Sequence, residues 1–240
     1  MKKILLAASI CLLTWTATSM ALSLGEGKLR ATADFEYLYL MGGDAGKFES
    51  GTFRLVPDIS EVFRDGYSTK MEIGYLFDEN YEFILGMGYS IFPGDSETMK
   101  SSEGSVISLE TENFNIIPIY VGFRIIFGEE EQGLMPYIRV DAGMVWMDKV
   151  NARVSYQPHG SSSPTVFSTT WWDSSSSFMW DLGLGLEYRV KNFATFAQFM
   201  YRSFGKPDSA VSAPLSGVVI SADGTSWSPL VLSFGVSYYF

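Results

Sequence analysis

The chain is short of the residues that ordinarily carry chemistry, with one cysteine and one histidine in 240 positions. Cys11 lies within an apolar run near the N-terminus, so the rest of the chain can build neither a disulfide framework nor a thiolate metal site. Long apolar runs are also missing. The best, residues 4–13, has ten residues, against the roughly 20 that a membrane-crossing helix requires. Positive charge is scarce too: 17 Lys and Arg stand against 27 Asp and Glu, for a net charge of −10. Such an acidic chain repels phosphate backbones, which argues against nucleic acid as a partner. What the sequence does have is aromatics, 15% of all residues, and a mean hydropathy of +0.10.

The N-terminal run reads as a targeting segment. Lys2 and Lys3 precede the apolar core, and Ser19-Met20-Ala21 ends it with a small-x-small cleavage pattern. A secretory signal peptide over 1–21 is therefore expected. A lipoprotein signal is not, because Cys11 sits inside the core rather than after it. Without Lys2 and Lys3, the remaining 22–240 holds 15 bases and all 27 acids, a charge of −12. The pattern along it indicates one domain.

The last stretch, Pro229-Leu-Val-Leu-Ser-Phe-Gly-Val-Ser-Tyr-Tyr-Phe240, separates into two faces. Leu230, Leu232, Phe234, Val236, Tyr238 and Phe240 form one; Val231, Ser233, Gly235, Ser237 and Tyr239 form the other. A period of two marks a strand. The elements Ser233, Gly235, Tyr238 and Phe240 resemble the C-terminal insertion signal of bacterial outer-membrane barrels.

Seven earlier segments repeat this alternation, at about 28–40, 67–77, 81–92, 113–127, 134–148, 178–190 and 193–204. Each is long enough for the roughly 9–11 residues that a tilted membrane strand needs. Short links (78–80, 128–133, 191–192) alternate with long ones (41–66, 93–112, 149–177, 205–227), which is the layout of short periplasmic turns and long external loops. Aromatics gather at the strand ends: Phe77, Tyr81, Phe127, Tyr188, Phe193 and Tyr238 below, Tyr39, Tyr89, Trp146, Trp180 and Tyr201 above. These form two interfacial girdles. The expected fold is all-β, an eight-stranded antiparallel up-and-down transmembrane barrel. An extra hairpin around Thr52–Val56 would make ten strands.

Eight strands, four long loops, the terminal Phe240 and the phrases Pro118-Ile-Tyr-Val-Gly-Phe-Arg124 and Gly183-Leu-Gly-Leu-Glu-Tyr-Arg189 resemble the small OmpA/OmpX-type barrel superfamily. With no peptidoglycan-binding domain expected after the barrel, the likeness is closer to OmpX than to full-length OmpA. It implies an outer-membrane location, contact with outer-membrane lipid and lipopolysaccharide, and delivery to the barrel-assembly machinery through the C-terminal strand. It also implies a non-enzymatic role in envelope integrity or surface interaction. A narrow channel for small or apolar solutes, as in OmpW-like relatives, is the alternative, and a lipid A-modifying enzyme comes third.

The polar faces place thirteen charges in the lumen: acids Asp34, Glu36, Glu72, Glu82, Asp141, Asp181 and Glu187, and bases Arg30, Lys70, Arg124, Arg139, Arg189 and Arg202. An eight-stranded interior is about wide enough for side chains to fill, and an unpaired buried charge costs several kcal/mol. A closed, salt-bridged lumen is expected. A selective ion path would want an excess of one sign at a constriction. Glycines at 74, 86, 88, 122, 143, 183, 185 and 235 read as relief of crowding rather than phosphate loops, because no helix follows Gly183-Leu-Gly185.

Chemistry has few candidates. His159 with Ser161, Ser162 and Ser163 resembles the base and nucleophile of the lipid A deacylases, yet the group lies in a Pro/Ser-rich loop with no near acid. An ordinary solvated histidine is the expectation. Glu129-Glu130-Glu131 reads as a solvated turn, and Asp34/Glu36 as salt-bridge partners rather than an acid/base pair. No metal or cofactor is expected. In the third loop, Phe167, Trp171 and Trp172 read as an exposed recognition patch; equally, Trp171 and Trp172 read as upper girdle on a longer sixth barrel strand.

Overall fold

A computed structural model describes residues 28–50, 53–128, 132–210, 214–215, 218–222 and 226–240. The signal peptide expected over 1–21 and the acidic turn 129–131 lie outside them. Eight long strands close on themselves: β1 (Lys28–Leu40), β4 (Gly66–Asp78), β5 (Tyr81–Phe92), β8 (Phe114–Ile126), β9 (Gly133–Met147), β12 (Ser175–Val190), β13 (Phe193–Phe204) and β16 (Pro229–Tyr239). Each pairs antiparallel with its neighbours along the chain, and β16 returns to β1 with Asp34 opposite Gly235 and Phe35 opposite Phe234. Closure leaves the sheet no edge, the condition for a sheet to span a bilayer. This is the architecture of the small OmpA/OmpX-type barrels.

Alternation decides what each side chain meets. On β12, Leu182, Leu184 and Leu186 point outward, with Leu184 63% exposed, while Asp181 and Glu187 are buried within. Every strand contributes to the same outward belt of large apolar residues, and all six aromatics of the expected lower girdle are exposed on it. An apolar surface running around a whole barrel is satisfied only by lipid. The protein is an outer-membrane barrel. By the layout of such barrels, the short turns face the periplasm and the long loops the exterior.

The long loops are themselves folded into sheets. β6 (Ser96–Lys100), β7 (Val106–Thr111), β10 (Val150–Gln157) and β11 (Thr165–Trp172) form a four-stranded sheet ordered β11-β10-β7-β6, from loops two and three. β2 (Lys47–Ser50), β3 (Phe53–Leu55), β14 (Pro214–Leu215) and β15 (Val218–Ser221) form another, ordered β14-β15-β2-β3, from loops one and four. Closure explains the partnership: β8 beside β9 brings loops two and three together, and β1 beside β16 brings loops one and four together. The hairpin expected near Thr52–Val56 is thus present as β2–β3, but it belongs to this external sheet, so the barrel has eight strands and not ten.

Loop one also carries a single helical turn, α1 (Ile59–Val62), which buries Ile59 and Val62. Its cap is reciprocal: the Asp58 carboxylate accepts from the Ser60 amide at 2.8 Å, and the Asp58 amide donates to Glu61 Oε2 at 2.8 Å. Partial burial pushes the Asp58 carboxyl up, but hydrogen bonds from Ser60 and Gly43 outweigh it and hold the group below its ordinary value. The cap therefore stabilises the loop fully above the unfolded carboxyl value of about 3.9 and is lost as pH falls through the lower folded value. Asp58→Ala should cost about 1 kcal/mol locally, raising amide exchange in the turn about fivefold at neutral pH. Wild type should lose the same protection only on acidification below about pH 4. Equal exchange in both proteins at pH 7 would show that the cap is idle.

Candidate functional site in the lumen and beneath the loops

The lumen faces of the strands converge on one ionic network. Near the periplasmic end, Glu82 lies between Arg30 Nε and Arg124 Nε at 2.6 Å each, and Glu187 takes Arg124 Nη1 at 2.7 Å and Arg189 Nη2 at 2.8 Å. Tyr239 joins them, donating to Glu187 at 2.6 Å and accepting from Arg189 at 2.7 Å. At mid-height Arg139 holds Glu72 with both terminal nitrogens (2.6 and 3.1 Å) and Asp141 through Nε (2.9 Å). Tyr120 donates to the same Glu72 at 2.7 Å. Higher still, Arg202 grips Glu36 (2.8 and 3.0 Å) and Asp181 (2.7 Å), while Lys70 reaches Glu36 at 2.7 Å and Asp34 at 3.9 Å. Arg30 to Glu72 at 3.7 Å and Lys70 to Glu72 at 3.8 Å link the levels.

All thirteen charges named from the sequence are brought together here, each buried to 8% exposure or less. The sheet register places like charges opposite one another twice: Arg124 faces Arg139, and Asp141 faces Asp181. Such pairs repel. The network separates them by sending each to different partners, Arg124 downward and Arg139 across, Asp141 to Arg139 and Asp181 to Arg202. Bidentate guanidinium–carboxylate geometry is the strongest form such pairing takes.

Two glycines make room for it. Gly86 lies opposite Tyr120 and Gly185 opposite Tyr137, and a Cβ at either would collide with the facing phenol. The rings lie across the lumen instead, where Arg124 packs over Tyr137 at 4.7 Å and Lys70 over Tyr120 at 5.0 Å. Tyr120, Tyr137, Gln198 and Tyr239 are members of the network that charge counting passed over. Their signal was present: polar residues on the lumen face with a glycine or an arginine opposite.

Above the ions the lumen turns apolar. Leu38, Phe92, Phe114, Ile116, Val145, Met179, Met200, Phe204 and Val231 are buried there and merge with the core beneath the external sheets. Trp227 sits in the middle, 4.6 Å from Phe204 and 4.9 Å from Phe92, centroid to centroid.

Both sequence readings of Trp171 and Trp172 fail. Neither is a recognition patch or a girdle residue: both are fully buried at the end of β11, in the core that joins the two external sheets. Trp171 donates to the Ala45 carbonyl at 2.9 Å and packs on Phe48; Trp172 donates to the Ala222 carbonyl at 3.1 Å and stacks on Phe63 at 5.4 Å. Each indole thus satisfies its N–H while burying its rings. The sixth barrel strand is indeed longer than the sequence marked, but it begins at Ser175, beyond the pair.

The remaining candidates do not assemble. Ser161 Oγ donates to the Ser163 carbonyl at 3.1 Å, and the His159 amide donates to Ser105 Oγ at 3.2 Å. Asp34 and Glu36 share Lys70, with Ser233 donating to Asp34 at 3.1 Å. Of the C-terminal elements, Gly235 faces the lumen beside Phe196, and Tyr238 lies outward between Phe193 and Phe240, 5.0 Å from each ring centroid. Among the described residues no cluster of His, Cys, Asp and Glu could hold a metal.

No protein-family model matches the chain, and no curated protein matches it. Among solved structures it is similar to neisserial surface protein A, at 17% identity over 90% of this chain and 100% of that one, with a TM-score of 0.47. It is similar to the outer membrane protein AlkL in lipid bilayers, at 18% identity over 91% and 93%, with a TM-score of 0.49. Similarity to the outer membrane protein OprG from Pseudomonas aeruginosa is 10% over 89% and 96%, with a TM-score of 0.47.

Proposed function

We propose that this outer-membrane barrel is a non-catalytic surface protein with a closed lumen, acting in envelope integrity or surface interaction through the folded sheets above the membrane. The observation that carries the reading is the succession of two seals. An ionic network fills the lower and middle lumen, and aromatic rings packed centroid to centroid within 4.6–5.6 Å lie above it around Trp227. A solute path would have to part both. The external sheets supply a folded platform above the barrel, and that favours recognition by a fixed surface. On this reading the constant partners are outer-membrane lipid and lipopolysaccharide. The barrel-assembly machinery would read the strand bearing Ser233, Gly235, Tyr238 and Phe240.

Reconstitution into planar bilayers tests it. The purified monomer should give no steady conductance, and liposomes containing it should not swell in small sugars or amino acids. Reproducible single-channel steps from monomer, or swelling, would replace this reading with that of a narrow channel.

A further inference from the structure

The external sheet β11-β10-β7-β6 continues the barrel wall upward. Ile116 lies opposite Met147 in β8–β9, and Thr111 opposite Ala152 in β7–β10, five residues further along each strand, so the register is kept across the joint. Two backbone hydrogen bonds carry the ladder over it: the Asp148 amide donates to the Asn115 carbonyl at 2.9 Å, and the Glu112 amide to the Asn151 carbonyl at 3.0 Å. Alternation, by contrast, breaks there. Glu112 and Asn113 are both exposed, as are Asp148 and Lys149, where strict alternation would bury one of each pair. Because both strands turn over at the same level, pairing survives while four polar side chains crowd the outward face.

These residues line a shallow polar crevice of about 660 Å³, completed by Asn115 and by Ser174 just before β12. What lies beneath fixes its place. Asn115 stands two residues from Ile117 on β8, Asp148 two residues from Trp146 of β9, and Ile117 and Trp146 lie opposite each other in the pairing. Both point outward into the lipid belt, 37% and 47% exposed. Ser176, two residues after Ser174, lies opposite the same Trp146 from β12. One outward surface therefore runs on three strands from the apolar belt, over an upper-girdle indole, into the crevice. With the long loops external, that is the height at which the headgroups of the outer leaflet begin.

We propose that the crevice binds the phosphorylated sugar headgroup of an outer-leaflet glycolipid, with an acyl chain lying over Ile117 and Trp146. The lining suits a saccharide: the Glu112 and Asp148 carboxylates accept hydrogen bonds from hydroxyl groups, while the Asn113 and Asn115 amides and the Ser174 hydroxyl both donate and accept. Two of these side chains are held in place. Asn151 donates to Glu112 Oε2 at 2.8 Å, and the Gly94 amide donates to Asn113 Oδ1 at 3.2 Å. Lys149, the one base in the lining, is placed for a phosphate. The two carboxylates beside it disfavour an anion that brings charge without sugar hydroxyls. The assignment rests on the reading of the chain as a surface barrel in contact with lipopolysaccharide, and not on its closed lumen.

Native mass spectrometry of the full barrel in detergent reads the site, with phosphatidylglycerol and a lipopolysaccharide truncated to lipid A and two core sugars added in equal amounts. Wild type should retain one lipopolysaccharide in preference to phosphatidylglycerol. Asp148→Ala and Lys149→Ser should each cut that retention about fivefold, the effect of one net hydrogen bond. Asp148 holds the joint through its amide, which both variants keep, and heat-modifiable mobility checks that each is folded. Lys100→Ser removes the same charge from β6, outside the crevice, and should change nothing. Retention that both crevice variants leave intact, or that Lys100→Ser lowers equally, would overturn the site, whatever bilayer recordings say of the lumen. Equal retention of the two lipids by wild type would do the same. So would a wild-type dimer that Asp148→Ala separates, by assigning the crevice to a second copy of the chain.

Discussion

Replacing Arg202 by methionine should destabilise the barrel by about 3–5 kcal/mol, the cost of leaving buried charges without their partner. Arg202 is fully buried and is the only base in ion-pair contact with Asp181 in the network described above, at 2.7 Å. Its loss leaves Asp181 facing Asp141 across the β12–β9 pairing with nothing between them. Glu36 is better placed, because Lys70 still holds it at 2.7 Å. The deficit should therefore belong mainly to Asp181, and Arg202→Met with Asp181→Asn should recover most of it, as removal of a whole buried pair is often neutral. Urea unfolding in detergent micelles, followed by the gel-mobility difference between folded and unfolded barrel, measures both. A loss below about 1 kcal/mol in the single variant would mean that water, not protein, solvates this part of the lumen.

The second large effect lies outside the membrane. Trp172→Ala removes a fully buried indole that stacks on Phe63 and meets Phe114 edge-on at 5.2 Å. Truncations of this kind cost about 3–5 kcal/mol, more than short external sheets can absorb. The barrel itself should survive, since its strands hydrogen-bond to one another and the lipid belt is untouched. Limited proteolysis separates the two outcomes. In wild type, the segments from β6 to β11 should resist cleavage. In Trp172→Ala they should be cut at once, while the barrel core keeps its heat-modifiable mobility. Rapid cleavage of those segments in the wild type would show that the external sheets do not form a stable unit.

These two positions also mark how far the sequence could be read. The barrel strands were legible because each must present lipid to one side and polar groups to the other, and a period of two over eleven or more residues survives any local exception. β5 and β13 run over the very residues that the alternation marked out. The lumen charges followed by the same parity. The external sheets obey no such rule. Their strands have two to eight residues, too few for a period to emerge, and their pairing depends on barrel closure, which no local stretch encodes. Trp171 and Trp172 were misread because adjacent tryptophans in a Ser/Thr-rich run look exposed from the local sequence alone. A clue lay elsewhere. At the outer ends of the strands both faces turn apolar, as in Ile116-Ile117, Val145-Trp146 and Met179-Trp180, and a membrane strand with two apolar faces has something apolar inside it. Likewise the hairpin at Phe53–Leu55 was recognisable as a hairpin, but nothing in its own residues says which sheet it joins.

The central claim is that alternate side chains meet lipid and a packed, ion-paired interior with no water path between. Spin labels on single cysteines along β16 test it most directly, because the sequence from residue 22 onward contains no cysteine. Gly235 is left out, since any side chain there meets Phe196. In bilayers, labels at Leu232, Phe234 and Val236 should be relaxed by oxygen and not by a water-soluble nickel complex, and labels at Val231, Ser233 and Ser237 by neither. Strong relaxation by nickel at Ser233 and Ser237 would mean a water-filled pore and would contradict the account.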